Sequence, residues 1–135
     1  MSARLNDWPE RLAALIKARR SMPFAWGSHD CCQFARAGIT AITGQDPARG
    51  FGLRRYRTER AAAAILRRLG GIEALLGRAG FVEIRIALAQ RGDVMLLRCP
   101  SPTLGLCLGT EVAVPTADGL TFYPALQAAR AWRIG

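Results

Sequence analysis

Residues 24–38, FAWGSHDCCQFARAG, place Asp30 directly before two adjacent cysteines and an apolar run with helical spacing. Aspartate is a favoured N-cap residue, so the pattern predicts a helix that begins at Cys31 and ends at Thr43-Gly44. Backbone N–H groups and the helix dipole favour a thiolate at the start of a helix. Cys31 is therefore the candidate nucleophile, provided that another side chain can take its proton.

The segments around this helix divide the chain into a helical first half and a stranded second half. Apolar spacing predicts a helix after Asn6 or Asp7, one that begins after Thr58 and ends at Gly70, and a short one in IEALLGRAG. Alternation then predicts a half-buried strand over residues 82–88, followed by strands in VMLL, TLGLCLG, VAV, LTFY and AWRI. Helices followed by an antiparallel meander of about five or six strands predict one α+β domain over residues 1–135.

The composition is that of a globular domain with a strongly basic surface. The N-terminus has scattered charges and no long apolar run, so we expect no signal peptide, no membrane span and folding in a cytoplasm. The net charge is +9, and of the nineteen basic residues only Lys17 is not arginine. Such an excess indicates an acidic partner: nucleic acid, an anionic cell-wall polymer or an acidic protein surface.

The densest basic cluster is LRRYRTER, in which Arg54, Arg55, Arg57 and Arg60 surround Tyr56. An aromatic residue among arginines can bind single-stranded nucleic acid. No recognised nucleic-acid module surrounds the cluster, which disfavours nucleic acid as the partner. The remaining interpretations are a solvated loop that leads into a helix and a docking surface for an acidic protein.

The other cysteines do not indicate a metal or disulfide site. Neither the adjacent pair nor the spacing of Cys99 and Cys107 gives the short ligand pairs of a zinc site. The expected absence of a secretion signal argues against a disulfide framework. We therefore predict buried thiols at Cys32, Cys99 and Cys107, and neither a metal nor a cofactor.

Three motifs occur in a familiar order: F-x-W-G-x-x-D-C at a helix start, then R-G-D-V-M-L-L, then L-G-L-C-L-G. Over about residues 20 to 114 they resemble the NlpC-type branch of papain-like cysteine peptidases, which implies an NlpC-type papain-like fold. A closer resemblance is to small phage and prophage proteins encoded among tail genes, which also end in Ala-Trp-Arg, here residues 131–133. That resemblance implies a location in the phage tail after assembly in the host cytoplasm, with other tail or tail-tip proteins as partners.

The resemblance also implies roles for residues around the helix start. Cys31 falls on the nucleophile and Asp30 on the aspartate before it. Trp26 and Gly27 fall on the shoulder of the substrate cleft. The turn at residues 92–93 precedes the strand that leads to the family's catalytic histidine.

That histidine is missing, because alignment of the glycines puts Thr103 in its place, facing the sulfur of Cys31. Threonine cannot accept and return a proton near neutral pH. The family's third polar residue falls near Ala113 or Val114, neither of which is polar. His29 is the only histidine of the chain; it lies in the turn before the helix and is expected to point away from the sulfur, as a polar turn residue.

The resemblance without the base predicts a catalytically degenerate peptidase scaffold that serves as a structural or assembly protein of the phage tail tip. One alternative is an active cysteine peptidase or amidase that cleaves peptidoglycan peptide stems, with His29 or a partner's residue as the base. Another is a module that binds murein without cleaving it. A polar residue beside the sulfur favours the enzyme, an open polar cleft favours the binder, and a cleft filled by side chains favours the structural role.

Overall fold

The helices occupy the first half of the chain, as predicted. The computed structural model describes residues 3–49, 55–98 and 101–135. Arg54 and Cys99, named above as candidates, lie outside this part of the chain. The described residues contain the helices α1 (Trp8–Arg19), α2 (Cys31–Thr43), α3 (Glu59–Leu69) and α4 (Ile72–Arg78).

The second half forms one antiparallel sheet, in which the described residues supply six strands in the order β1-β6-β2-β3-β4-β5. Strands β2 to β5 form a meander, and β6 lies between β1 and β2. This arrangement confirms the predicted α+β class. The strands are β1 (Val82–Ile84), β2 (Val94–Leu97), β3 (Thr103–Cys107), β4 (Glu111–Thr116), β5 (Gly119–Pro124) and β6 (Arg130–Arg133).

Helix α2 begins and ends where its local sequence predicts. The side chain of Asp30 accepts a hydrogen bond from the Gln33 N–H, which satisfies a backbone donor of the first turn. At the other end, Gly44 has a φ of +76°, and its N–H donates to the Thr40 carbonyl. Glycine adopts this left-handed conformation without the strain that a Cβ would bring.

The sheet has two buried faces, and α2 covers one of them, here called the front face. Leu104 and Leu106 of β3 pack there with Phe34 of α2. Gly38 allows a close approach, since a Cβ built on it would lie 2.4 Å from the Leu106 side chain. The helix start is therefore held directly against strand β3.

The back face carries a second core cluster that includes Met95, Leu97 and Cys107. Ile86 packs against this cluster from the short 3₁₀ turn that follows β1. The predicted strand over 82–88 is therefore wrong beyond Ile84. Strand β1 is an edge strand with β6 as its partner, and the chain turns where its pairing with β6 ends, which lets Ile86 cover the back face.

Arg4 links the N-terminal segment to the start of β2 and the end of β6, which lie side by side in the sheet. Its guanidinium donates to the Ile134 carbonyl at 2.7 Å and to the Arg91 carbonyl at 2.7 Å. It also pairs with the carboxylate of Asp93 at 2.9 Å and stacks over the Trp8 ring. The turn at residues 92–93 is thus tied to both chain ends, and it positions β2 and β3 beneath α2.

Candidate functional site

The carboxylate of Asp30 is fully engaged in holding the entrance to α2, directly before Cys31. One oxygen accepts from the Gln33 N–H at 2.8 Å. The other accepts from the Gly27 N–H at 2.8 Å and from the Tyr56 hydroxyl at 2.6 Å. Asp30 is buried. A carboxylate that accepts three hydrogen bonds is a poor general base, so Asp30 organises the site without taking a proton from the sulfur.

Tyr56 belongs to this site although the sequence indicated only an aromatic residue among arginines. Its hydroxyl donates to Asp30 and accepts a hydrogen bond from the Gln33 side chain at 3.3 Å. Burial, followed by the hydrogen bond to Asp30, raises the pKa of Tyr56 well above its ordinary value. Tyr56 therefore stays protonated and acts as a donor that locks the turn before α2.

The two adjacent thiols differ in acidity. The hydrogen bond from the Cys32 thiol lowers the pKa of Cys31, and the Leu104 N–H lowers it further, against the opposing effect of burial. The pKa of Cys32 is raised by its hydrogen bond to Cys31 and by burial. Cys31 is therefore the more readily ionised of the two and keeps the character of a nucleophile.

The residue that approaches the sulfur from the sheet is Leu104, and the expected position of Thr103 opposite Cys31 is corrected. Thr103 pairs across the sheet with Leu97, which belongs to the back-face cluster. Directly paired residues share a face, so the Thr103 side chain lies on the back, and its hydroxyl donates to the Ser101 carbonyl. Leu104 packs on the front with α2, and a leucine side chain cannot move a proton.

His29 is turned away from Cys31 and into the core. The guanidinium of Arg19 lies 2.8 Å from its Nδ1, and its ring packs edge-on against Phe34. Arginine only donates hydrogen bonds, so Nδ1 accepts and the ring proton is on Nε2. Within the described residues, Nε2 is buried and has no hydrogen-bond partner. His29 therefore stabilises the turn as a neutral ring that points away from the sulfur, as the sequence predicted, but its burial was not predicted.

The stability of the protein is expected to fall as the pH drops below about 6.5, in part through His29. Burial and the charge of Arg19 lower the pKa of His29 below its ordinary value of 6.5, while Asp30 opposes them. The folded protein then binds fewer protons than the unfolded chain in this range, so acid favours unfolding. The free energy of unfolding, measured in urea at pH 7.5 and at pH 5.5, should fall more between these two pH values for the wild type than for His29→Gln. Equal losses for the two proteins would contradict this assignment.

An apolar cavity of about 180 Å³ lies beside the two thiols, between α2, α3, α4 and β3. Most of its walls are aliphatic, with Ile39, Ile65, Leu66, Leu75 and Leu104 among them. Its polar lining comes from the first two turns of α2, which include Arg36, and from Tyr56, which contacts the helix start through Gln33. The arrangement can hold a small apolar group with one end against the sulfur of Cys31.

The remaining predicted residues divide between the site and the surface. Trp26 lines the cavity and is partly exposed, whereas Gly27 packs against the backbone of Tyr56. The described arginines of the basic cluster, Arg55, Arg57 and Arg60, are all exposed.

Two of the three cysteines predicted to be buried, Cys32 and Cys107, lie in the described residues, and they differ in burial. Cys107 is buried in the back-face cluster, as predicted. Cys32 is only half-buried and lines the cavity, so its prediction as a buried core thiol is corrected. The first turn of α2 places Cys32 between the edge of the front-face core and the cavity.

In residues 3–49, 55–98 and 101–135, no cluster of three or more His, Cys, Asp or Glu side chains is placed to bind a metal ion. None of the helices in the same residues has the length and apolar character to cross a membrane.

Fold and site together define an α+β domain with an acidified cysteine at a helix start and an apolar cavity beside it. The chain belongs to a family described as Domain of unknown function (DUF6950), which matches residues 3–134. A comparison with curated proteins found no match.

Proposed function

We propose that the protein is a structural or assembly component of a phage tail tip, built on a catalytically degenerate scaffold of the NlpC type. The main support for a degenerate catalytic site is the orientation of His29, the only histidine of the chain. Its Nδ1 is occupied by Arg19 and its ring packs on Phe34. A cysteine peptidase needs a base within hydrogen-bond reach of the sulfur, whereas the groups that hydrogen-bond Cys31 are the Cys32 thiol and the Leu104 backbone.

The tail role rests on the resemblance of the motifs to tail-gene proteins, and the site geometry is compatible with it. Positioned general acid–base groups typically contribute about 10² to 10⁴ in rate, and the members of a catalytic triad act as a unit. Without them a thiolate cannot protonate an amine leaving group efficiently. The aliphatic cavity also disfavours a murein-binding module, because peptide stems and glycans are polar.

The wild-type protein is expected to release no peptide stems from purified peptidoglycan, and Cys31→Ala should be incorporated into tails at the wild-type level. Alanine keeps the helix start and removes little volume, so a role that depends on shape tolerates the change. Stem release measured by chromatography, with a known cell-wall amidase as positive control, tests the first expectation. Release by the wild type that Cys31→Ala abolishes would establish an active hydrolase and overturn the proposal.

Charge reversal of the basic cluster is expected to reduce incorporation into tails. Arg55, Arg57 and Arg60 are exposed, and arginine favours carboxylates because it binds them bidentately. The triple variant with glutamate at these positions should bind a purified tail more weakly. Added salt should weaken tail binding by the wild type but not by the variant. Its thermal unfolding should be unchanged, because exposed charges contribute little to stability.

A matched control carries the same change in charge elsewhere on the surface. Arg78, Arg85 and Arg133 are also exposed and lie on α4 and around the β1 edge of the sheet. Their reversal to glutamate should leave incorporation near the wild-type level. Equal loss from both triple variants would show that only the net charge matters, and no loss from either would rule out the basic cluster as a docking surface.

A further inference from the structure

The lining of the cavity separates chemically reactive groups from inert ones. Cys31 and Tyr56 line it from the entrance of α2, whereas α3 contributes apolar side chains such as Ile65 and Leu66. Helix α3 exposes Arg67 and Arg68 on its other side. A ligand that matches this lining has an apolar body and an electrophilic end that meets the thiol.

The size of the cavity limits the apolar body. Apolar cavities of about 150 Å³ lined by aliphatic and aromatic residues bind benzene in other proteins. The cavity beside Cys31 measures about 180 Å³. It therefore suits a group of about six to eight carbon atoms, and a long lipid chain would extend beyond it.

Because no base or proton donor lies beside Cys31, only some electrophiles can react with its thiolate. A thiolate without a proton donor cannot expel an amine, but it can displace another thiolate, whose ordinary pKa of about 8.5 lets it leave unprotonated. We propose that Cys31 accepts a short aliphatic acyl group from an acyl thioester with an anionic carrier, and that the cavity holds the acyl chain.

The transfer balances without an added reactant. The Cys31 thiolate attacks the acyl carbonyl and forms a new carbon–sulfur bond, while the carbon–sulfur bond to the carrier breaks and the carrier leaves as a thiolate. Hydrolysis of the product would need an activated water, and neither His29 nor Asp30 is free to supply a base. The acyl group therefore stays on Cys31.

Positive charge near the start of α2 favours an anionic carrier for the acyl group. Arg55 and Arg57 flank Tyr56 in sequence and are exposed. The Arg57 Cα lies only 3.8 Å from where a Cβ on Gly27 would stand, which places this segment against the turn before Cys31. A carrier with phosphate groups, such as a nucleotide-linked thiol, meets positive charge there.

Incubation of the full-length protein with octanoyl-coenzyme A, followed by intact-mass spectrometry, tests the proposal. The wild type is expected to gain one octanoyl group that neutral hydroxylamine removes. Cys31→Ser should gain none, whereas Cys107→Ala, which removes a thiol of the back-face cluster, should still be acylated. Absence of acylation in the wild type, or equal acylation of Cys31→Ser, would overturn the proposal.

A pair of variants on α3 separates binding in the cavity from simple thiol reactivity. Ala62 lines the cavity, whereas Ala64 is exposed on the same helix. Ala62→Phe should slow octanoylation about tenfold or more by filling the space that several methylene groups occupy, and Ala64→Phe should not. Thermal unfolding of both variants checks that they fold. Equal rates for the two folded variants, or equal rates with octanoyl and palmitoyl thioesters, would refute a role for the cavity.

The carrier is tested separately with octanoyl-N-acetylcysteamine, a neutral thioester. Reversal of Arg55 and Arg57 to glutamate should slow acylation by octanoyl-coenzyme A several-fold at low salt and leave the neutral thioester unaffected. Equal effects on both thioesters would refute carrier selection by charge. The inference goes beyond the proposed tail role: failure of acylation leaves tail incorporation untouched, and failure of incorporation leaves acylation untouched.

Discussion

Replacement of Asp93 by alanine is expected to lower the free energy of unfolding by about 3 to 5 kcal/mol. Asp93 is 2% exposed. One of its oxygens accepts from the Arg4 guanidinium at 2.9 Å and from the Ile134 N–H at 3.0 Å, and the other accepts from the Gln90 N–H at 2.8 Å. Alanine leaves one charge and two backbone donors without this acceptor, and the cost is large because Asp93 is buried and the Ile134 N–H is shielded from water.

Asp7→Ala is the matched control for this prediction. Asp7 also pairs with an arginine, Arg11 at 3.2 Å, but their side chains are 63% and 49% exposed. An exposed pair four residues apart on a helix is worth only about 0.3 to 0.5 kcal/mol. Urea unfolding of both variants should therefore differ by several kcal/mol. A loss below about 1 kcal/mol for Asp93→Ala would show that Asp93 does not link the chain ends as described.

The bounds of α2 could be predicted because their causes are local. Asp30 accepts from a backbone N–H three residues along the chain, and Gly44 ends the helix through its own backbone conformation. Such signals need no knowledge of tertiary contacts. The position of Cys31 at a helix start, and with it the candidate nucleophile, follows from them.

The residue opposite the sulfur could not be predicted with the same certainty. In a strand, a shift of one residue moves each side chain to the other face of the sheet. Alignment of Gly105 with a glycine of the peptidase motif put Thr103 opposite Cys31, but the pairing of β2 with β3 puts Leu104 on that face. The alternation of apolar residues in TLGLCLG does not distinguish the two, because both faces of this sheet are buried.

The contacts that complete the site join residues far apart in the chain. Tyr56 reaches Asp30 across 26 positions, and Arg4 reaches Asp93 across 89. No spacing rule links such pairs, and the arginines around Tyr56 suggested a surface role. The buried position of His29 was missed because its partner Arg19 lies at the end of α1, and no local signal in the turn points to that contact.

Replacement of Gly27 by alanine is expected to lower the free energy of unfolding by about 2.5 to 5 kcal/mol, because two costs combine. The φ of Gly27 is +86°, and a Cβ there would stand 1.8 Å from the Tyr56 carbonyl oxygen. A side chain in this backbone region costs about 1 to 2 kcal/mol. Displacement of Tyr56 also breaks its hydrogen bond to Asp30, and bonds to charged groups contribute about 1.5 to 3 kcal/mol.

Gly80→Ala separates the two costs of the Gly27 substitution. Gly80 has a nearly equal φ of +89°, but nothing lies within 4 Å of the position that its Cβ would take. The free energy of unfolding of Gly80→Ala, measured in urea, should therefore fall only by the backbone cost of about 1 to 2 kcal/mol. The turn before α2 also holds the sulfur, so alkylation of Cys31 by iodoacetamide should change in Gly27→Ala and stay unchanged in Gly80→Ala. Equal destabilisation by the two substitutions would show that Gly27 is needed for its backbone conformation alone, and that contact with Tyr56 does not hold the entrance to α2.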